Sequence, residues 1–226
     1  MIKTKKIIAV IPARIGSKGI KYKNLKKVNG KSLVEICIKN AKSVKEISKV
    51  AVSTDSKKIQ SLSKKLGVWC EKLRPKNLSK KNSKTNQALL HVVKEINEQF
   101  DYIIELQPTY LFRKKETLSK AINMLIKNEK YNSLISIVKI QDTSHPDFVI
   151  SKKKDQLKFK SSATNFNRHY LKPIYKPIGL IIISKYKSFV EKKDMLSGKI
   201  HGIEITNKKE MHDIDGPIDL KIAKLL

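Results

Sequence analysis

The stretch Ile11–Asn24, "IPARIGSKGIKYKN", gathers one Arg, three Lys, a Ser and two Gly directly after the apolar run Ile7–Val10. Such a loop can offer backbone N–H groups and cations to a polyphosphate, and Gly16 and Gly19 would let the main chain come close without a Cβ in the way. Arg14 could clamp two oxygens at once, Lys18 and Lys23 could neutralise others, and Ser17 could donate a hydroxyl bond. The stretch suits a nucleoside triphosphate. Its glycine spacing fits neither GxxxxGK[ST] nor GxGxxG, so a basic surface turn stays open as the other reading.

A second constellation lies near the end of the chain, in "HDIDGP". Asp213 and Asp215 are one residue apart, so in an extended segment both leave the same face and could meet one hard cation, Mg2+ or Mn2+. Alternatively, Asp215 caps the helix that Gly216-Pro217 opens, and the two readings are compatible. His212 beside them could orient a carboxylate. Trp69, His91, Met124, His145 and His169 carry no ligand spacing and read as packing or loop residues.

The formal charge of +29 raises nucleic acid as a partner. Against it, the Lys are spread along nearly every segment and the aromatic fraction is 6%, without a stacking platform. Only four of the 49 basic residues are Arg: Arg14, Arg74, Arg113 and Arg168. In a chain that charges its surface with Lys, each Arg is expected where a flat fork must grip phosphate or carboxylate. Cys37 and Cys70 form no CxxC pair, which suits a reducing compartment. The apolar run after Met1–Lys6 is too short for a signal or membrane segment, so a cytoplasmic protein is expected.

These residues need a scaffold, and the pattern supplies one of about one domain's length, 1–226. Strands are expected at Ile7–Ile11, Lys49–Thr54, Val68–Glu71, Asp101–Leu106, Ser133–Val138 and Ile178–Ile183. Helices are expected at Ser32–Ser43, Asp55–Leu66, Thr85–Phe100 and Lys115–Lys127. The alternation argues for an α/β sandwich with a mainly parallel central sheet, ligands gathering at the carboxyl ends of its strands. Between 140 and 176 the pattern degrades into short alternations and Pro-bounded turns, either a surface hairpin insertion or a dimerisation and substrate arm.

"IPARIGSKGIKYKN", "VSTDSKKI", "RPKNLS", "LQPTYLFR" and "DID" stand in the order and spacing of the CMP-sialic acid synthetases, the N-acylneuraminate cytidylyltransferases, which the chain resembles from Ile8 to its last helix. The resemblance implies a Rossmann-like nucleotidyltransferase fold, a homodimer, and transfer of CMP from CTP to a nine-carbon 2-keto sugar acid with Mg2+. Arg14, Ser17, Lys18, Lys23 and Asn24 then match the CTP loop, and Arg74 an Arg near the cytosine. Ser53-Thr54-Asp55 matches a strand-end motif lining the nucleotide cleft. Gln107 matches a sugar contact, and Asp213 and Asp215 the metal pair. Arg168 or Lys172 would meet the sugar carboxylate across the dimer.

Two departures stand out. Lys81 takes the place of an acid, leaving Ser83 and Thr85 to fill a hydroxyl role, and Tyr110-Leu111 replaces Ser-Pro. The sugar therefore stays open among N-acetylneuraminate, legionaminate and pseudaminate. A cytidylyltransferase for the eight-carbon 3-deoxy-octulosonate, an inactive paralogue and a basic nucleic-acid-binding protein are the alternatives.

Overall fold

β1 (Ile7–Pro12) is apolar on both faces, and strand alternation sorts its side chains between two cores. Ile7, Ala9 and Ile11 pack with Val34, Cys37 and Ile38 of α1 (Leu33–Lys42). Ile8 and Val10 pack with Leu89, Val92 and Val93 of α3 (Thr85–Ile96). Helices therefore cover both faces of the sheet. The structure is a computed structural model that describes residues 5–17, 19–140, 145–146, 149–159 and 172–226.

The remaining elements are β2 (Lys27–Val28), β3 (Lys31–Ser32), β4 (Lys49–Ser53), α2 (Lys57–Lys65), β5 (Tyr102–Glu105), α4 (Lys115–Lys127), β6 (Ser133–Lys139), β7 (Ile150–Lys153), β8 (Gln156–Phe159), β9 (Tyr175–Lys185), α5 (Tyr186–Lys192), β10 (Ile200–Glu204) and α6 (Pro217–Leu225). The central sheet runs β10-β6-β9-β5-β1-β4. β1 is parallel to β4 and β5, and β10 to β6, while β9 runs antiparallel between β5 and β6. This is the expected mainly parallel α/β sandwich with one strand reversed.

Local chemistry sets the boundaries. Ser32 and Ser56 cap α1 and α2 by accepting from the N–H groups of Glu35 and Ile59. α3 stops at Ile96, short of the expected Phe100, because Asn97 takes the left-handed conformation at φ 52°. The strand expected over Val68–Glu71 shrinks to a single bridge between Trp69 and Ala51. The Gln60 amide occupies the carbonyls of Cys70 and Glu71, at 2.9 and 3.0 Å, in place of a neighbouring strand.

β9 is longer than the expected Ile178–Ile183, and its register against β6 breaks between Ile135 and Ser136. The Ser136 hydroxyl bridges the break, accepting from the Ile181 N–H (3.0 Å) and donating to the Ile178 carbonyl (2.7 Å). Bulges of this kind re-aim backbone beside functional sites.

The 140–176 segment leaves the sheet where the Ile140 N–H meets the Ile174 carbonyl (2.9 Å), and its described part includes the exposed β7–β8 hairpin. His145, expected in a loop, is buried, with Nε2 3.1 Å from the Lys172 carbonyl. Cys37 and Cys70 are buried and unpaired. Among the described residues no helix is long and apolar enough to cross a membrane.

Candidate active site

At the carboxyl ends of β1 and β5 lies a cleft of about 560 Å³. Arg14, Ser17, Lys23 and Asn24 from the first loop, Arg74 and Ser83 from the segment before α3, Gln107 after β5, and Asp215 all line it. Sequence positions from 14 to 215 thus converge on one hollow. Lys18 and Arg168 lie outside the described residues, and Lys172 is exposed and does not line the cleft of its own chain.

The loop after β1 is held at its margins. The Ile15 N–H donates to Asp55 Oδ1 (2.7 Å), the Ala13 N–H to the Ser53 carbonyl (2.8 Å), and Arg14 Nη1 to the Lys80 carbonyl (3.2 Å). Asn24 Nδ2 donates to the Arg14 carbonyl (2.9 Å), so this buried Asn staples the loop that it also lines. Behind the cleft, Ser53-Thr54-Asp55 supports its wall rather than forming it. Ser53 accepts from Arg74 through its hydroxyl (3.0 Å) and its carbonyl (2.6 Å). Burial pushes the Arg74 guanidinium down to about 10, opposed by the Asp55 carboxylate. Ser83 closes its own loop by donating to the Asn77 carbonyl (3.0 Å).

The aspartate segment is fixed from beneath. Between the two acids, Ile214 is fully buried in a small core with Ile20, Val28, Leu33 and Ala223, and its N–H donates to the Thr109 carbonyl (3.2 Å). Ile20 belongs to the cationic loop, so one apolar contact ties the two halves of the cleft together. Buried Glu210 accepts from the Lys114 N–H (2.9 Å) and the Thr117 hydroxyl (3.0 Å), capping the amino end of α4 from 96 residues away. Asp219 Oδ2 accepts from the N–H groups of Asp215 (3.0 Å) and Gly216 (2.6 Å). The N-cap of α6 is Gly216, whose N–H the Asp219 carboxylate takes up from inside the helix, so Asp215 is not the cap and lines the cleft. His212 Nε2 meets the Asp219 carbonyl (2.8 Å), not a carboxylate.

The two halves touch. A Cβ on Gly19 would stand 2.1 Å from the Asp215 carbonyl oxygen, so only Gly lets the loop close there. A Cβ on Gly16, by contrast, would meet no described residue beyond its chain neighbours within 4 Å. Lys23 Nζ donates to the Ile214 carbonyl (2.7 Å) and to Asp215 Oδ1 (3.1 Å). Its side chain is 14% exposed and that of Asp215 is 80% exposed.

Among the described residues no three of His, Cys, Asp and Glu cluster as a metal cage. Of the expected metal pair, Asp215 lines the cleft and Asp213 does not. Asp213 Oδ1 is buried without a hydrogen-bond partner. Tyr110, one of the departures, sits behind it: burial first and the Asp213 charge second hold the phenol protonated, and its oxygen accepts from the Gly179 N–H (3.2 Å).

The model of the cytidylyltransferase family matches residues 8–200. The chain belongs to that family. This cytidylyltransferase is 30% identical over 227 residues to a CMP-N,N'-diacetyllegionaminic acid synthase of Legionella pneumophila, covering 98% of this chain and 96% of the other. It is 28% identical over 221 residues to an N-acylneuraminate cytidylyltransferase of Escherichia coli, covering 96% of this chain and 51% of that one. A solved CMP:2-keto-3-deoxy-manno-octonic acid synthetase complexed with CTP superposes with a TM-score of 0.73 at 16% identity, covering 97% of each chain.

The fold of this nucleotidyltransferase uses two of its Arg differently from the sequence expectation. Arg113 is buried and grips no anion: Nε donates to the Leu180 carbonyl (2.7 Å) and Nη2 to the Gln107 carbonyl (2.9 Å), tying β9 to the loop after β5. Arg74 likewise spends two nitrogens on Ser53. A buried fork can satisfy several carbonyls at fixed angles, which a Lys cannot. Sequence reasoning missed Glu105, which lines the cleft floor. It sat inside the apolar strand "DYIIEL", and one acid in a strand otherwise buried on both faces was the available signal.

Proposed function

We infer that this cytidylyltransferase transfers CMP from CTP to the anomeric hydroxyl of a nine-carbon 2-keto sugar acid, sialic acid or a related nonulosonate, releasing pyrophosphate. The observation that carries the reading is the junction of the cationic loop with the aspartate segment, at Gly19 and at the Lys23–Asp215 pair, above Gln107. The names of the Legionella and Escherichia coli relatives support the sugar class.

In this reading Arg14, Ser17, Lys18 and Lys23 bind the triphosphate, and Asn24 keeps the loop in shape through the Arg14 carbonyl. Arg74 and Ser83 border the cytidine side, and Gln107 takes the sugar. Asp213 and Asp215 would hold Mg2+, or Mn2+, which when bound neutralises charge at the α-phosphate. The anomeric oxygen forms its bond to the α-phosphorus as the bond to the bridging oxygen of pyrophosphate breaks, and the anomeric proton passes to water. Arg14 and Lys23 stabilise the charge that collects on the leaving pyrophosphate. A homodimer would bring the 140–176 arm, with Arg168 and Lys172, to the sugar carboxylate of the neighbouring site. The two buried, unpaired cysteines suit a cytoplasmic enzyme.

The test is pyrophosphate release from CTP with a panel of N-acetylneuraminate, legionaminate, pseudaminate and 3-deoxy-octulosonate. Turnover with one of the nine-carbon acids is expected, and preference for the eight-carbon acid or no turnover at all would overturn the reading. Asp215→Ala is expected to abolish metal-dependent release, whereas unchanged turnover would remove the metal assignment.

A further inference from the structure

Glu105 ends β5 between Val10 of β1 and Ile182 of β9, is 4% exposed, and still reaches the cleft floor. In a chain of charge +29, with Arg14, Lys23, Arg74 and Lys81 lining the same hollow, its hydrogen bond among the described residues goes to none of them. It accepts from Gln107 Nε2 at 3.1 Å. A carboxyl buried on a strand with one neutral partner costs stability, so an aliphatic residue would serve the fold better.

The surroundings of Gln107 are built around this contact. Residues 105 and 107 leave the same side of the chain while Leu106 between them is fully buried in the core. The β9 bulge lays Gly179 against the carboxamide: a Cβ there would stand 2.7 Å from both Nε2 and Oε1 of Gln107. Arg113 fixes the Gln107 carbonyl, and Tyr110 fixes the Gly179 N–H. The carboxamide is thus clamped with Nε2 toward Glu105. Its Oε1 forms no hydrogen bond with any described residue and is the acceptor left for a ligand.

Resting on the function proposed above, we propose that Glu105 is a positioning residue for sugar specificity. By holding Gln107 with its carbonyl oxygen outward, it makes this floor read a hydrogen-bond donor of the sugar, a hydroxyl or acylamino N–H. The same carboxyl disfavours the sugar's own carboxylate at this spot, which turns that group toward the cationic side of the cleft. Burial raises the carboxyl above its ordinary range, in keeping with a group that no cation neutralises.

The experiment compares wild type, Glu105→Leu and Glu105→Gln by steady-state kinetics with the best sugar acid of the panel, and by thermal melting. Glu105→Leu is expected to raise the sugar KM about tenfold, the loss of one hydrogen bond to a charged group, with the CTP KM within about twofold. Its Tm should hold or rise. Glu105→Gln keeps an acceptor for Gln107 and is expected to recover most of the sugar KM. An unchanged sugar KM in Glu105→Leu, or both KM values rising together with a fall in Tm, would overturn the assignment. A wild type that turns over no sugar acid overturns the proposed function first and this inference with it.

Discussion

The two sides of the cleft are built in opposite ways. The loop from Ala13 to Asn24 is held by polar bonds from Asp55, Ser53, Lys80 and Asn24 and by Ile20 in the small core, while a Cβ on Gly16 would meet no described residue beyond its chain neighbours. The aspartate segment is fixed throughout its length by Glu210 on α4, Ile214 in the small core and Asp219 under the backbone of Asp215 and Gly216. The difference suits the two tasks proposed for them. Flexible polyphosphate can be met by a loop that adjusts, whereas a cation demands oxygens at fixed positions.

The largest expected effect comes from breaking the close approach of Gly19 to the Asp215 backbone. Gly19→Ala must move the loop or Asp215, since its Cβ would stand 2.1 Å from a backbone oxygen. A shift of that order is expected to lower kcat/KM about 100-fold, measured by pyrophosphate release. Gly16→Ala, with open space around it, should change kcat/KM far less, and equal losses in the two variants would contradict the proposed asymmetry.

Ile214→Ala probes the fixed side alone. Deleting a fully buried side chain from a small core is expected to cost about 3 kcal/mol, a fall in Tm on the order of 10 °C for a chain of this size. Thermal melting checks it. A change near zero would mean that Ile214 does not anchor the aspartates and that the segment is no more fixed than the loop.

Much of this comparison can be read from residue order, and the rest cannot. Strand β1 announces itself as an apolar run, α4 is found at its observed limits from the spacing of Leu118, Ala121, Ile122 and Leu125, and in "DID" the apolar residue between the acids is the one that enters the core. What escapes is contact between distant segments. No local pattern tells that Glu210 caps a helix 96 residues earlier, or that Asp219 rather than Asp215 takes up the N–H of Gly216 at the start of α6. Arg113 looked like an anion grip because its fork suits carbonyl oxygens equally well, and only the packing of β9 beside it decides which it meets. The reversal of β9 was hidden because a strand buried on both faces reads alike in either direction.

The smallest effect expected sharpens the adjustable side. Asp55 accepts from the Ile15 N–H and also favours the charged form of Arg74, whose pKa burial lowers to about 10. Asp55→Asn keeps an acceptor for Ile15 but removes the charge, and charge-assisted bonds are roughly twice as strong as neutral ones. The CTP KM is therefore expected to rise about tenfold at neutral pH, with Tm little changed because the Ile15 N–H keeps an acceptor and no apolar contact is removed. The sign with pH follows from Arg74. Its cationic form, the one that would attract CTP, is lost as pH climbs toward 10, and without Asp55 that loss begins at lower pH. The CTP KM of Asp55→Asn should thus diverge further from wild type between neutral pH and pH 9. A constant ratio across that range would show that Asp55 acts on the loop alone, and a fall in Tm as large as that of Ile214→Ala would show that the loop is as deeply anchored as the aspartates.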